Sequence, residues 1–150
     1  AITPWSVDAT KCISYLTIEH RSEIDEQYHD AMGDWIFGCD ICQEVCPHNQ
    51  STERTRHALI HEAYEPQRAD FNLMEILNWT DDDRRHAFVG SAMKRAKLNM
   101  LKRNALIAAG NYLAHNVDVD LRNRIQQLAG DENDEDELVR STAQQVLARL

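Results

Sequence analysis

The sequence predicts a mostly α-helical chain in two parts, a short cysteine-bearing segment followed by a helical region. Three observations carry this. The stretch "GCDICQEVCPHN", residues 38–49, packs three of the chain's four cysteines into eight positions and follows the last with Pro47. Beyond about residue 70, apolar residues recur at helical spacing. Within that region "LKRNALIAAGNYL" from Leu101 and "LVRSTAQQVLARL" from Leu138 share Leu, Arg at the third place, a small residue at the fifth and Leu at the thirteenth, an offset of 37 residues.

Taken in order, the first elements are two short helices, one from Asp8 or Thr10 to about His20 and one from Glu26 to about Ile36. The cysteine loop follows. Residues 48–70 are polar, contain Pro66, and read as a linker across the surface. In "FNLMEILNW" the apolar positions Leu73, Ile76 and Leu77 mark a helix. Thr80 with Asp83 three places on is a capping-box-like start for the next, which ends at Gly90. "DVDLRNRIQQLAG" supplies a further helix that Gly130 ends, placed between the two similar stretches. An offset near 40 with two helices per unit is the pattern of a HEAT-type repeat, and two ordinary amphipathic helices are the alternative. The domain division expected is 1–52 for the cysteine-bearing part and 53–150 for the helical part.

The chain's 150 residues, 43% of them hydrophobic, can fill a modest core. The longest largely apolar stretch, Leu106 to Ala114, is too short to cross a bilayer, and no basic-then-apolar signal opens the chain, so no membrane association and a cytoplasmic location are expected. The opening "AITPWSVDATKC" has neither a methionine nor a cap signal and reads as a cut edge. In that setting a C-x2-C pair points to metal or redox chemistry before disulfides, and the two sequons at Asn49 and Asn78 read as chance matches.

Cys39-x2-Cys42-x3-Cys46-Pro47 reproduces the last three-quarters of the bacterial ferredoxin run C-x2-C-x2-C-x3-C-P. The first cysteine of that run is absent, with Ile36 in its place, and Cys12 on the first helix is the natural replacement. In such runs the cysteine before proline ligates the neighbouring cluster. Cys12, Cys39 and Cys42 are therefore expected on one [4Fe-4S] cluster and Cys46 on another. Two such clusters need twice the thiolates present, so a further cysteine run must come from elsewhere. The alternative is zinc, because His57-x3-His61 downstream completes a loose C-x2-C…H-x3-H pattern. The intervening "QEVCPHNQSTERTR" lacks a finger's aromatic and leucine core, and zinc leaves Cys12 and Cys46 unexplained.

With those residues in view, the chain resembles the epoxyqueuosine reductases, cobalamin-dependent iron–sulfur enzymes that finish queuosine in the tRNA anticodon. The stretches carrying the resemblance are "CISYLTIEHR" from Cys12, "IFGCDICQEVCPHN" from Ile36, "FNLMEIL" from Phe71 and "GSAMKRAKLNMLKRNALIAAGN" from Gly90. The resemblance implies part of a ferredoxin-like double [4Fe-4S] domain followed by HEAT-like repeats. It further implies two clusters feeding electrons to cobalamin bound mainly by an upstream domain, tRNA as partner, and a monomer when complete. Ser22 and Asp25 stand where that family has a glycine and a proline, His48 where it has a tryptophan, and Ala92 where it has a proline. Those departures bear on turns and on the cluster's surroundings, hence on its potential more than on its binding.

Charge is uneven. Net charge is -9, yet from Arg84 to Val117 there are seven basic residues and no acidic one. Lys94, Arg95, Lys97 and Lys102 are the expected RNA contacts, with Arg95 and Lys102 seven apart on one face of a continuous helix. A solvated helix face is the alternative. Arg103, equivalent to Arg140 in the repeat alignment, is expected to be structural between repeats; His57 and His61 read as linker surface, and Trp5, Trp35 and Trp79 as packing residues.

Overall fold

The structure, a computed structural model, describes residues 6–49, 70–130 and 135–150, and among these there are helices and turns but no strand. The cysteine-bearing part holds α1 (Ile13–Ile18), α2 (His29–Met32) and α3 (Ile41–Glu44). The helical part holds α4 (Leu73–Asn78), α5 (Asp81–Ala87), α6 (Leu98–Leu113), α7 (Val119–Ala129) and α8 (Glu137–Ala148).

The first two helices are shorter than their sequence suggests. Asp8 accepts from the Thr10 amide at 3.1 Å and winds Ala9–Lys11 into a 3₁₀ turn; Cys12 is then extended, at ψ 130, and only after it does α1 begin. Asp25 caps a second 3₁₀ turn, Glu26–Tyr28, and α2 stops at Gly33, whose φ of 56 no side-chain-bearing residue adopts cheaply. The helix expected to reach Ile36 therefore ends four residues earlier. Local capping groups outcompete propagation in segments too short to nucleate well.

Downstream, the helix starts follow their caps. Asn72 accepts from Met74 and Glu75, and Thr80 and Asp83 form a complete capping box at α5. α6 is the centre of the molecule. Its sequence is rich in Leu, Ala, Asn and basic residues with Ile107 its only β-branched residue, and every residue from Met100 to Gly110 is buried. One side of it meets α4, α7 and α8 in a core containing Leu77, Leu106, Ile125 and Val139. Its other side meets α1 and α2, where Ile107 completes a second small core with Leu16, Ile24 and Met32.

α6 and α8 approach so closely that a Cβ on Gly110 would lie 2.8 Å from Val146 Cγ1. The glycine is there for contact, not for a turn. The boundary expected between residues 52 and 53 lies outside the described residues, as do His57, His61 and Trp5. Trp79 is buried edge-on to Phe71 and Phe88, and Trp35 is half-buried.

Candidate metal centre

All four cysteines are free thiols; Cys42 is exposed, and Cys12, Cys39 and Cys46 are partly so. Cys12 stands at the start of α1, its amide donating to Ala9 O at 3.1 Å and its carbonyl accepting from the Leu16 amide at 2.9 Å. Cys39 follows Gly38, whose φ of 76 turns the chain into the C-x2-C loop. The Gly38 amide donates to Thr17 Oγ1 at 2.9 Å, and that hydroxyl donates back to Ile13 O at 2.8 Å. The loop is thus tied to the helix that Cys12 begins. Cys42 lies within α3, and the Cys46-Pro47 corner is fixed by Asn49, which donates to Gln43 O at 3.2 Å and to Gln43 Oε1 at 2.8 Å.

Behind these segments stands a polar row on α6 that sequence reasoning undervalued. Arg103 is wholly buried and donates to Leu16 O at 2.6 Å, to His20 O and Ser22 O at 2.7 Å, and to Asn104 Oδ1 at 2.9 and 3.0 Å. Asn104, also wholly buried, donates to Thr17 O at 2.9 Å and Ile36 O at 2.8 Å. One amide therefore bridges α1 and the irregular lead into Cys39. Seven residues on, Asn111 donates to His29 O and Gly33 O, both at 2.8 Å, and closes the end of α2. Arg103 is structural, but its partners are the carbonyls of the cysteine-bearing segment, whereas Arg140 bonds Glu135 O and Glu137. The signal was present in the sequence: "RNALIAAGN" sets three polar residues at positions 1, 2 and 9 of an otherwise apolar stretch, on one face of the helix.

Burial pulls Arg103 down to about 10, so it remains a cation at neutral pH. His29, buried with its Nε2 at 3.0 Å from Ile24 O, is pushed below the usual histidine range by desolvation.

The basic segment is not one helix. Ala92–Arg95 is a 3₁₀ turn, Ala96 is extended, and α6 starts at Leu98, because the Ser91 hydroxyl caps the turn and Arg84 holds it by donating to Lys94 O and Ala96 O. Arg95 and Lys102 thus do not share a continuous helix. Lys102 is buried and paired with Glu135 at 2.7 Å; Arg95 is exposed and paired with Glu19; Lys94 and Lys97 are exposed.

Among the described residues no three His, Cys, Asp or Glu side chains converge tightly enough to hold a single metal ion. A four-iron cubane is larger than an ion, and its thiolates stand apart on separate corners. The donor set fits such a group in kind: free, accessible thiols on segments hydrogen-bonded to one another. No helix among the described residues is long and apolar enough to cross a membrane.

Residues 1–49 match the 4Fe-4S double cluster binding domain family. An epoxyqueuosine reductase from Leadbetterella byssophila is 45% identical over 107 residues, covering 69% of this chain and 33% of the relative. Two solved structures share the fold: a selenomethionine-labelled epoxyqueuosine reductase, with TM-score 0.82 and 23% identity, and an epoxyqueuosine reductase with a tRNA-Tyr epoxyqueuosine-modified stem loop, with TM-score 0.77 and 24% identity. Each comparison covers 99% of this chain and 37% of the solved one. The chain spans about a third of the length of the curated relatives it matches, and over that third it is similar in sequence to epoxyqueuosine reductases and has the fold of the solved ones.

Proposed function

We propose that this chain is part of an oxidoreductase that reduces epoxyqueuosine to queuosine at the tRNA wobble position, carrying cluster ligands and a tRNA-docking helical part. The observation that carries the reading is the coincidence of the Cys12 and Cys39-x2-Cys42-x3-Cys46-Pro47 pattern with 45% identity to an epoxyqueuosine reductase. Cys12, Cys39 and Cys42 hold one [4Fe-4S] cluster and Cys46 completes a second, whose other ligands come from an upstream segment that also supplies most of the cobalamin site. Such a cluster, when bound, supplies one-electron transfer. The chain's own residues set its surroundings: Thr17 and Gly38 fix the loop against α1, and Asn49 fixes the Cys46 corner. The helical part, whose 37-residue offset is HEAT-like, presents Lys94, Arg95 and Lys97 to phosphates. Lys102 belongs to this set only if its pair with Glu135 opens. The complete protein is placed in the cytoplasm as a monomer, with residues 1–52 as the cluster part and 53–150 as the helical part.

The test is to express the chain with its upstream coding segment in a bacterium lacking its own epoxyqueuosine reductase, and to measure both nucleosides in its tRNA. Queuosine should appear, and should vanish with Cys42→Ser. After anaerobic reconstitution, Cys42→Ser and Cys46→Ser should remove different centres by electron paramagnetic resonance. Stoichiometric zinc without iron would refute the reading in favour of a helical binding module with a structural metal.

A further inference from the structure

We infer that Arg103 is the buried counter-charge of the cluster held by Cys12, Cys39 and Cys42, and raises its reduction potential; this rests on the cluster reading above. The starting point is an imbalance. Arg103 has no exposed surface, and all its hydrogen bonds go to neutral oxygens, three main-chain carbonyls and the Asn104 amide oxygen. Among the described residues no carboxylate pairs with it, and burial lowers its pKa. A neutral donor could close the end of α1 without the large cost of desolvating a charge, so an unpaired buried guanidinium requires another explanation. By contrast, the neighbouring Lys102 does have its carboxylate, Glu135 at 2.7 Å.

The location supplies the explanation. Arg103 Nη2 bonds Leu16 O, and the Leu16 amide bonds Cys12 O, so the cation closes the far end of the short helix that Cys12 begins. Through Asn104 it is coupled at 3.0 Å or less to the amide that holds Ile36, three residues before Cys39. Both chain segments that carry the three thiolates are therefore organised around this one charge. A cysteine-ligated cluster is net negative, and one-electron reduction makes it more so. A fixed cation in a poorly hydrated interior favours the more negative state, which moves the potential upward. Arg103 is a positioning and tuning residue here; it touches neither the cluster nor substrate.

The experiment uses the full-length protein with all its ligands, reconstituted anaerobically and titrated with dithionite while electron paramagnetic resonance follows each cluster. Arg103→Met should move the midpoint potential of the Cys42-dependent centre to more negative values and leave the Cys46-dependent centre nearly unmoved. Arg103→Lys, which keeps the charge with fewer hydrogen bonds, should lie close to the parent. Arg103→Gln, which removes the charge but keeps an amide donor for the same carbonyls, should lower the potential in the same direction, so the test stands even if Arg103→Met does not fold. An unmoved potential in either neutralising variant at full iron content overturns the inference. So does an equal shift for Arg103→Lys and Arg103→Met, since lost hydrogen bonding alone would then account for it. Absence of iron from the parent protein would instead refute the cluster reading itself.

Discussion

Replacing Asn104 by alanine removes the amide that joins the helix begun by Cys12 to the lead into Cys39. Asn104 is wholly buried and makes four hydrogen bonds, two donated to Thr17 O and Ile36 O and two accepted from Arg103. A buried hydrogen bond contributes about 1 kcal/mol net, and bonds to a charged group about 1.5–3 kcal/mol. Arg103 keeps three carbonyl acceptors, so the loss falls mainly on Nε and on the two stranded carbonyls. A destabilisation of roughly 3–5 kcal/mol follows, a large part of the ~5–15 kcal/mol typical of a domain. Urea unfolding followed by far-UV circular dichroism should show a lower midpoint at an unchanged slope. Amide exchange at Gly38 should accelerate, because Thr17 loses its anchor. Asn111→Ala, with two bonds at stake, should cost less. A loss under about 1 kcal/mol for Asn104→Ala, or protection of Gly38 unchanged, would refute the bridging role.

Gly110→Ala should lower thermal stability despite alanine's better helix propensity of about 1 kcal/mol, because its Cβ meets Val146 at 2.8 Å. In the Val146→Ala background the same change should raise the melting temperature, and equal effects in both backgrounds would exclude that contact. His29 is buried with its pKa shifted downward by desolvation, so the unfolded chain takes up protons that the folded one resists. Its contribution is complete above the unfolded value near 6.5 and should decline as pH falls below that, a decline that His29→Gln flattens in pH-dependent urea titrations. Lys94→Ala and Lys97→Ala should each make the slope of log tRNA affinity against log salt shallower by roughly 0.7–0.9 in filter binding with the full-length protein. Lys102→Ala should instead lower stability, because its partly buried partner Glu135 loses its counter-charge.

Local chemistry was legible in the sequence wherever a few neighbouring residues settle it. The spacing of Cys39, Cys42 and Cys46 before Pro47 is a matter of ligand geometry within one loop, and the Thr80–Asp83 box and the Gly130 stop are closed within a turn of helix. Periodicity likewise marked α4 and α6 to α8, since a helix that buries one face must repeat it. The ends of the first two helices were less legible. They are too short for propensity to rule, and Asp8, Asp25 and Gly33 ended them by hydrogen bonds and backbone angles whose outcome pattern alone underdetermines.

What the tertiary structure alone decided is which charges are free. In the sequence Lys94, Arg95, Lys97, Lys102 and Arg103 form one basic cluster. In the fold Lys102 turns inward to Glu135, which is 33 residues away; Arg95 reaches Glu19; and Arg103 closes carbonyls more than 80 residues upstream, leaving Lys94 and Lys97 exposed. Coulombic and hydrogen-bond partners so distant along the chain leave no periodic trace, because their pairing depends on the packing of α6 against two cores at once. The residue types told what each side chain could do, and only the packing told which partner it met.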